Sequence, residues 1–140
     1  MRAAKRCVQY LYTTRHKGLN FDRRKNQSPQ AFADADFANQ LYNRRSTSGR
    51  VIIMYGAALM WSSRQQHTVA LSTSEAEIMS LLEVGKDVIW LRRLMHELGT
   101  PIQGPTPLLE DSKAAIKWAP ESASWSKTHH IDTAFHKIRE

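Results

Sequence analysis

A chain of 140 residues, 41% of them hydrophobic, is long enough for one domain with a real core. It contains no apolar run of the roughly 18 residues that a membrane helix needs, and its start, MRAAKRCVQYLY, lacks the apolar core and cleavage site of a secretory signal. Its one cysteine, Cys7, excludes an internal disulfide and fits a reducing compartment.

The net charge of +7 is confined to the first element and the linker after it. Residues 1–30 hold eight Lys and Arg (Arg2, Lys5, Arg6, Arg15, Lys17, Arg23, Arg24, Lys25) against Asp22 alone, and residues 31–140 hold twelve of each sign. Such a segment suits either attraction to phosphate backbones or a solvated basic face beside a neighbouring domain. Ala4, Val8, Leu11 and Tyr12 recur at helical spacing, which predicts an amphipathic helix over 3–12 ending before Gly18. RRKNQSPQ (23–30) reads as a polar linker.

AFADADFA (31–38) reads as a strand, with Asp34 placed in a sheet core at a cost of several kcal/mol unless a partner meets it. NQLYNRRSTSG (39–49) is a loop. RVIIMYGAALMWSSR (50–64) is broken by Gly56 and predicts two antiparallel strands tightly joined. A long helix follows over 73–98, opened by a capping box of Ser72 and Glu75 and closed by Gly99. Ile78, Leu81, Leu82, Gly85, Ile89 and Met95 form its apolar face. PLLED (107–111) predicts a strand and SKAAIKWA (112–119) a helix ended by Pro120. HHIDTAFHKIRE (129–140) begins a last helix, and the whole is a mixed α/β domain.

Asp34, Glu77 and Asp111 stand at the ends of separate elements. Two-metal hydrolysis of phosphodiesters needs such oxygen ligands, holding ions roughly 3.5–4 Å apart. Each acid also has a plain structural role open to it: Asp34 as a turn or strand-end acid, Glu77 as a helix N-terminal acid and Asp111 as an N-cap. Spacing alone leaves both readings standing.

The wording of the segments goes further. DADFA, RRSTSG, WSSRQQHTVALSTSEAE, IWLRRLMHELG, LLEDSKAAI and SKTHHIDTAFHKIRE together resemble the ribonuclease H domain of copia-type retrotransposon polyproteins. AAKRCVQYLYTTRHKGLNF resembles the end of the reverse transcriptase and its connection, so residues 1–28 are expected to be that basic helix and linker, and residues 29–140 the ribonuclease H-like domain. The resemblance implies a ribonuclease H-like mixed sheet flanked by helices, four-stranded here and lacking the family's last strand and last helix. It implies Mg²⁺-dependent endonucleolytic cleavage of the RNA strand of RNA–DNA hybrids, with two ions expected and Mn²⁺ as the alternative. Asp34, Glu77 and Asp111 take the positions of the family's catalytic metal ligands. Asp36 and Glu75 become surface or capping groups. The implied partners are the hybrid and the reverse transcriptase domain of the parent polyprotein. The implied location is intracellular, in a cytoplasmic virus-like particle or the nucleus.

Candidate backbone and 2′-OH contacts are Arg44, Arg45, Ser46 and Thr47 in the first loop, and Arg64, Gln65 and Gln66 after the hairpin. Phe37 stands where the family has Trp. Glu110, Asp111, Ser112 and Lys113 stand where it has a Cys-Asp-Asn-Gln-type run, and strand alternation is expected to turn Glu110 away from Asp111. The family's fourth acid is expected beyond Glu140, so the chain reads as incomplete. Asp132 is a candidate substitute and His130 a candidate proton shuttle. By the resemblance both fall with His129 and His136 in the helix before the last strand. The other readings are a catalytically impaired polyprotein remnant that at most binds nucleic acid, and an integrase or transposase core. Such a core has acids in the order Asp, Asp, Glu, whereas Asp34, Glu77, Asp111 follow the order of the ribonuclease.

Overall fold

The structure is a computed structural model and describes residues 2–121. In chain order the elements are α1 (Arg2–Thr14), β1 (Gln30–Asp36), β2 (Thr47–Met54), β3 (Ala57–Gln65), α2 (Thr73–Glu97), β4 (Leu108–Leu109) and α3 (Lys113–Glu121). The expected helix over 129–140 lies outside the described residues, and with it Asp132, His129, His130 and His136. Helix α3 continues one residue past Pro120, where an end was expected.

A four-stranded mixed sheet in the order β3-β2-β1-β4 forms the frame. The β2–β3 hairpin turns on Tyr55 and Gly56, both at positive φ (55° and 79°), which a two-residue turn matched to sheet twist requires. The polar linker is not free chain. Asp22 donates its amide to the Tyr55 carbonyl (2.9 Å), and the Asn26 carbonyl accepts from the Tyr55 amide (2.8 Å). Pro29 is fully buried.

Alternation along β1 sets the layers. Ala31, Ala33 and Ala35 are buried on one face, whereas Asp34 and Asp36 are exposed on the other. This corrects the expectation that Asp34 lies in the sheet core and Asp36 apart from it: both leave the same face. The three alanines let α2 lie close to the sheet, where Ile52, Ile78, Leu81, Leu82, Val84, Val88 and Leu91 complete the core. On the opposite face Trp61 and Leu109 are exposed.

Two further contacts hold α2 and its exit in place. Arg50, only 15% exposed, donates Nε to Asp87 (2.5 Å) and Nη1 to Glu83 (2.6 Å), spanning acids one helical turn apart. Arg92 donates to the carbonyls of Gly104 (2.9 Å) and Ile102 (3.3 Å) and to the Thr106 hydroxyl (3.1 Å), which fixes the connection leading into β4. Arg50→Met is expected to destabilise the chain by about 2 kcal/mol, a buried-pair loss discounted for the part-exposed acids. Neutralising Glu83 and Asp87 in the same chain is expected to recover about half of that loss, because it also removes their mutual repulsion. Urea denaturation of the wild type and the two variants measures both effects.

No residue of α1 is buried. Val8, Leu11 and Tyr12 on its apolar stripe are 66–67% exposed, with Arg15 stacked 4.1 Å over the Tyr12 ring.

Candidate metal centre

Register builds the site. β1 and β4 run parallel, with Phe32 opposite Leu109. Asp34 and Asp111 each lie two residues further along these neighbouring paths, which stand about 4.8 Å apart, so the two acids reach the same level and the same face. Glu77 approaches from the first turns of α2. Ser80, fully buried one turn later, donates its hydroxyl to the carbonyls of Asp34 (2.8 Å) and Gly49 (3.1 Å). That bond pins the helix to the strand carrying Asp34 and sets the depth of Glu77. One carboxylate oxygen each from Asp34, Glu77 and Asp111 then lies within 4.8 Å of the others.

Both helix starts beside the site are capped by residues other than these three acids. Ser72 accepts the Glu75 amide (3.1 Å) at the start of α2, and Glu75 reaches back to the Leu71 amide (2.7 Å), one residue before the position an ideal capping box uses. Ser112 accepts the Ala115 amide (3.2 Å) at the start of α3, so Asp111 is not that helix's cap.

Glu77 is 5% exposed, and its Oε2 has no hydrogen-bond partner among the described residues. Burial, then the charges of Glu110, Asp34 and Asp111, push its carboxyl up to about 7, against the opposing pull of the Ala35 amide. Three oxygen donors from separate elements, one buried and unpartnered, match what a hard divalent cation takes and what three close carboxylates need.

The predicted nucleic-acid contacts divide. Arg44, Arg64 and Gln65 are exposed, and Arg45 and Thr47 are half-buried. Thr47 is opposite both Asp36 and Gln65 in the sheet, one alternate rung beyond the Asp34–Gly49 pair, so this group shares the acid end of the molecule. Ser46 and Gln66 are the buried members of the group. Ser46 is fully buried and accepts the Ala38 amide (3.0 Å). Gln66, 3% exposed, donates Nε2 to the Ser48 hydroxyl and the Ala76 carbonyl, both at 2.9 Å, and so ties β2 to the start of α2. Both side chains turn inward, Ser46 to a backbone amide and Gln66 to a hydroxyl and a helix carbonyl. The residue left out of the sequence-based site is Glu110, whose carboxyl acts on Glu77 and is itself raised, chiefly by burial. Glu110 is half-buried while Asp111 beside it is exposed, which sets the two on opposite sides of the chain.

Among solved structures the chain is similar to LC11-RNase H1, isolated from compost by a metagenomic approach. The TM-score is 0.55 at 16% identity, over 81% of this chain and 74% of that one. The fold is therefore that of a ribonuclease H domain, α/β with a mixed sheet. In sequence it is 40% identical over 111 residues, 79% of its length, to the retrovirus-related Pol polyprotein from transposon TNT 1-94 of Nicotiana tabacum, of which it spans 8%. The chain is a homologue of the retrovirus-related Pol polyproteins of copia-type transposons, as its motifs imply. It is also 40% identical over 89 residues, 64% of its length, to secreted RxLR effector protein 161 of Plasmopara viticola, spanning 63% of that protein. No family model matches the chain.

Proposed function

We propose that this chain is the ribonuclease H unit of a retrotransposon Pol polyprotein, cutting the RNA strand of RNA–DNA hybrids internally beside a reverse transcriptase domain. The observation that carries the reading is the convergence of Asp34, Glu77 and Asp111 from three elements of a ribonuclease H fold. These acids would hold Mg²⁺, two ions in the full reading, with Mn²⁺ as the alternative. Bound there, the cations would supply positive charge to the phosphodiester and lower the pKa of water.

The chain's own residues do the rest. Asp34 and Asp111 present exposed carboxylates, and Glu77 closes the set from behind, its depth fixed by Ser80. Arg44 and Arg64 offer charge to the phosphates and Gln65 a hydrogen bond to backbone or 2′-OH, without reading bases. Arg45 and Thr47 flank them from the first loop and the start of β2. Binding should therefore weaken with salt.

A labelled hybrid incubated with the chain and Mg²⁺, beside single-stranded RNA and duplex RNA, tests the reading. Internal cuts confined to the RNA of the hybrid, and abolished by a chelator, are expected. Hybrid binding without any cation-dependent cleavage would overturn the enzyme reading in favour of a nucleic-acid-binding remnant.

A further inference from the structure

We infer that Glu110 strengthens the cation site with its charge from the α2 side, from outside the group of converging oxygens that Asp34, Glu77 and Asp111 form. The inference rests on the three-acid reading and adds a residue to it. Past the end of β4 the burial still alternates, with Leu109 and Asp111 exposed and Glu110 between them half-buried, so Glu110 lies on the side that Leu108 shares with the core against α2. There the carboxyl is fastened by one oxygen only. Oε1 accepts the amides of Asp111 (3.1 Å) and Ser112 (3.2 Å). Oε2 is buried with no partner among the described residues, the same condition as Oε2 of Glu77, whose side chain is 5% exposed. Two buried carboxylate oxygens without donors are unfavourable, and a cation held at the three-acid site offsets the cost of both through its charge. Of its acidic neighbours, Glu110 acts on Glu77 more strongly than Asp34 or Asp111 does.

A purely local role does not require the charge. Ser112 already caps α3, and a neutral amide oxygen would accept the same two backbone N–H groups as Oε1. Glu110→Gln therefore keeps the fastening and removes the charge alone.

Mn²⁺ binding to the whole chain, followed by electron paramagnetic resonance or calorimetry, separates the possibilities, with melting curves to check that each variant is folded. Glu110→Gln is expected to weaken Mn²⁺ binding about tenfold, the order expected for one unit charge a few ångströms away in a partly hydrated site. Glu110→Asp, which keeps the charge on a shorter arm, should bind more tightly than Glu110→Gln. Glu97→Gln, at the far end of α2, should bind as wild type. Wild-type affinity in Glu110→Gln, with binding lost in Glu77→Gln, overturns the inference and leaves the three-acid site standing. Wild-type affinity in both overturns the two together.

Discussion

Asp34→Asn is expected to slow hybrid cleavage by roughly a thousandfold, about 4 kcal/mol of lost transition-state stabilisation, without lowering the melting temperature. The two halves of that expectation come from the same geometry. The Asp34 side chain is exposed and makes no hydrogen bond among the described residues, so substitution breaks no internal contact. What it removes is one of three negative charges within 4.8 Å of one another, and their repulsion with it. A residue whose loss harms folding would lower rate and melting temperature together. Asp36→Asn is the matched control. It sits two residues on, exposed on the same face, but outside the group of converging carboxylates. Single-turnover cleavage of a labelled hybrid with both variants decides the matter. Wild-type rates in Asp34→Asn would remove the acid group as the reaction centre. Equal losses in the two variants would show that general negative charge at this end, rather than the converging oxygens, matters.

The ease with which those acids were recognised differs from the ease with which they could be placed. Their identities follow from motif resemblance, but positions 34, 77 and 111 in a chain say nothing about distance. Distance comes from the parallel register of Phe32 with Leu109 and from Ser80 reaching two strand carbonyls. Neither is a local property. Alternation, by contrast, was legible: Ala31, Ala33 and Ala35 form a small-residue face that admits a closely packed helix, and the period of two leaves Asp34 and Asp36 together on the other side. A core position for Asp34 conflicts with that period, since its neighbours Ala33 and Ala35 occupy the buried face. What distinguishes the two aspartates is how far along the strand each lies from Asp111 and Glu77, not which way each points.

Polar loop residues were the harder class. Ser46 and Gln66 read as ligand-facing in the sequence and Glu110 as a side chain turned away from Asp111, since such side chains are mostly exposed. Ser46 and Glu110 turn in to accept N–H groups of non-repetitive backbone, and Gln66 turns in to bond the Ala76 carbonyl in the first turn of α2. The hairpin and the long helix were easier. Gly56 and Ser72 announce their turn and cap through requirements of φ and of unpaired amides that act over a few residues. The same locality explains the edges of β4. Only two residues pair, and Glu110 and Asp111, expected in or at the end of a longer strand, lie just past it.

Glu77→Gln is expected to stabilise the cation-free chain above pH 7, to have little effect near pH 4.5, and to abolish the response of stability to Mg²⁺. The Glu77 carboxyl lies at about 7 in the folded chain against an ordinary value of 4.5. Below the lower value the group is protonated folded and unfolded, so it contributes no difference. As pH rises from 4.5 toward 7 the unfolded chain releases the proton and the folded chain resists, so stability falls across that window and stays low above it. The displacement corresponds to about 3 kcal/mol at full strength, and to about 2 kcal/mol once water at the exposed Asp34 and Asp111 is allowed for. Gln removes the ionisation and with it the loss. A divalent cation that binds the ionised group opposes the same loss in the wild type, by an amount that grows with its concentration over Kd. Urea denaturation from pH 4.5 to 8.5, with and without Mg²⁺, therefore yields two curves for the wild type that diverge as pH rises, and two for Glu77→Gln that coincide. Coincident wild-type curves at pH 8 would show that the carboxylates bind no cation. A Glu77→Gln chain less stable than wild type at pH 8 would show that Glu77 is a structural acid, held by the Ala35 amide rather than strained for a ligand.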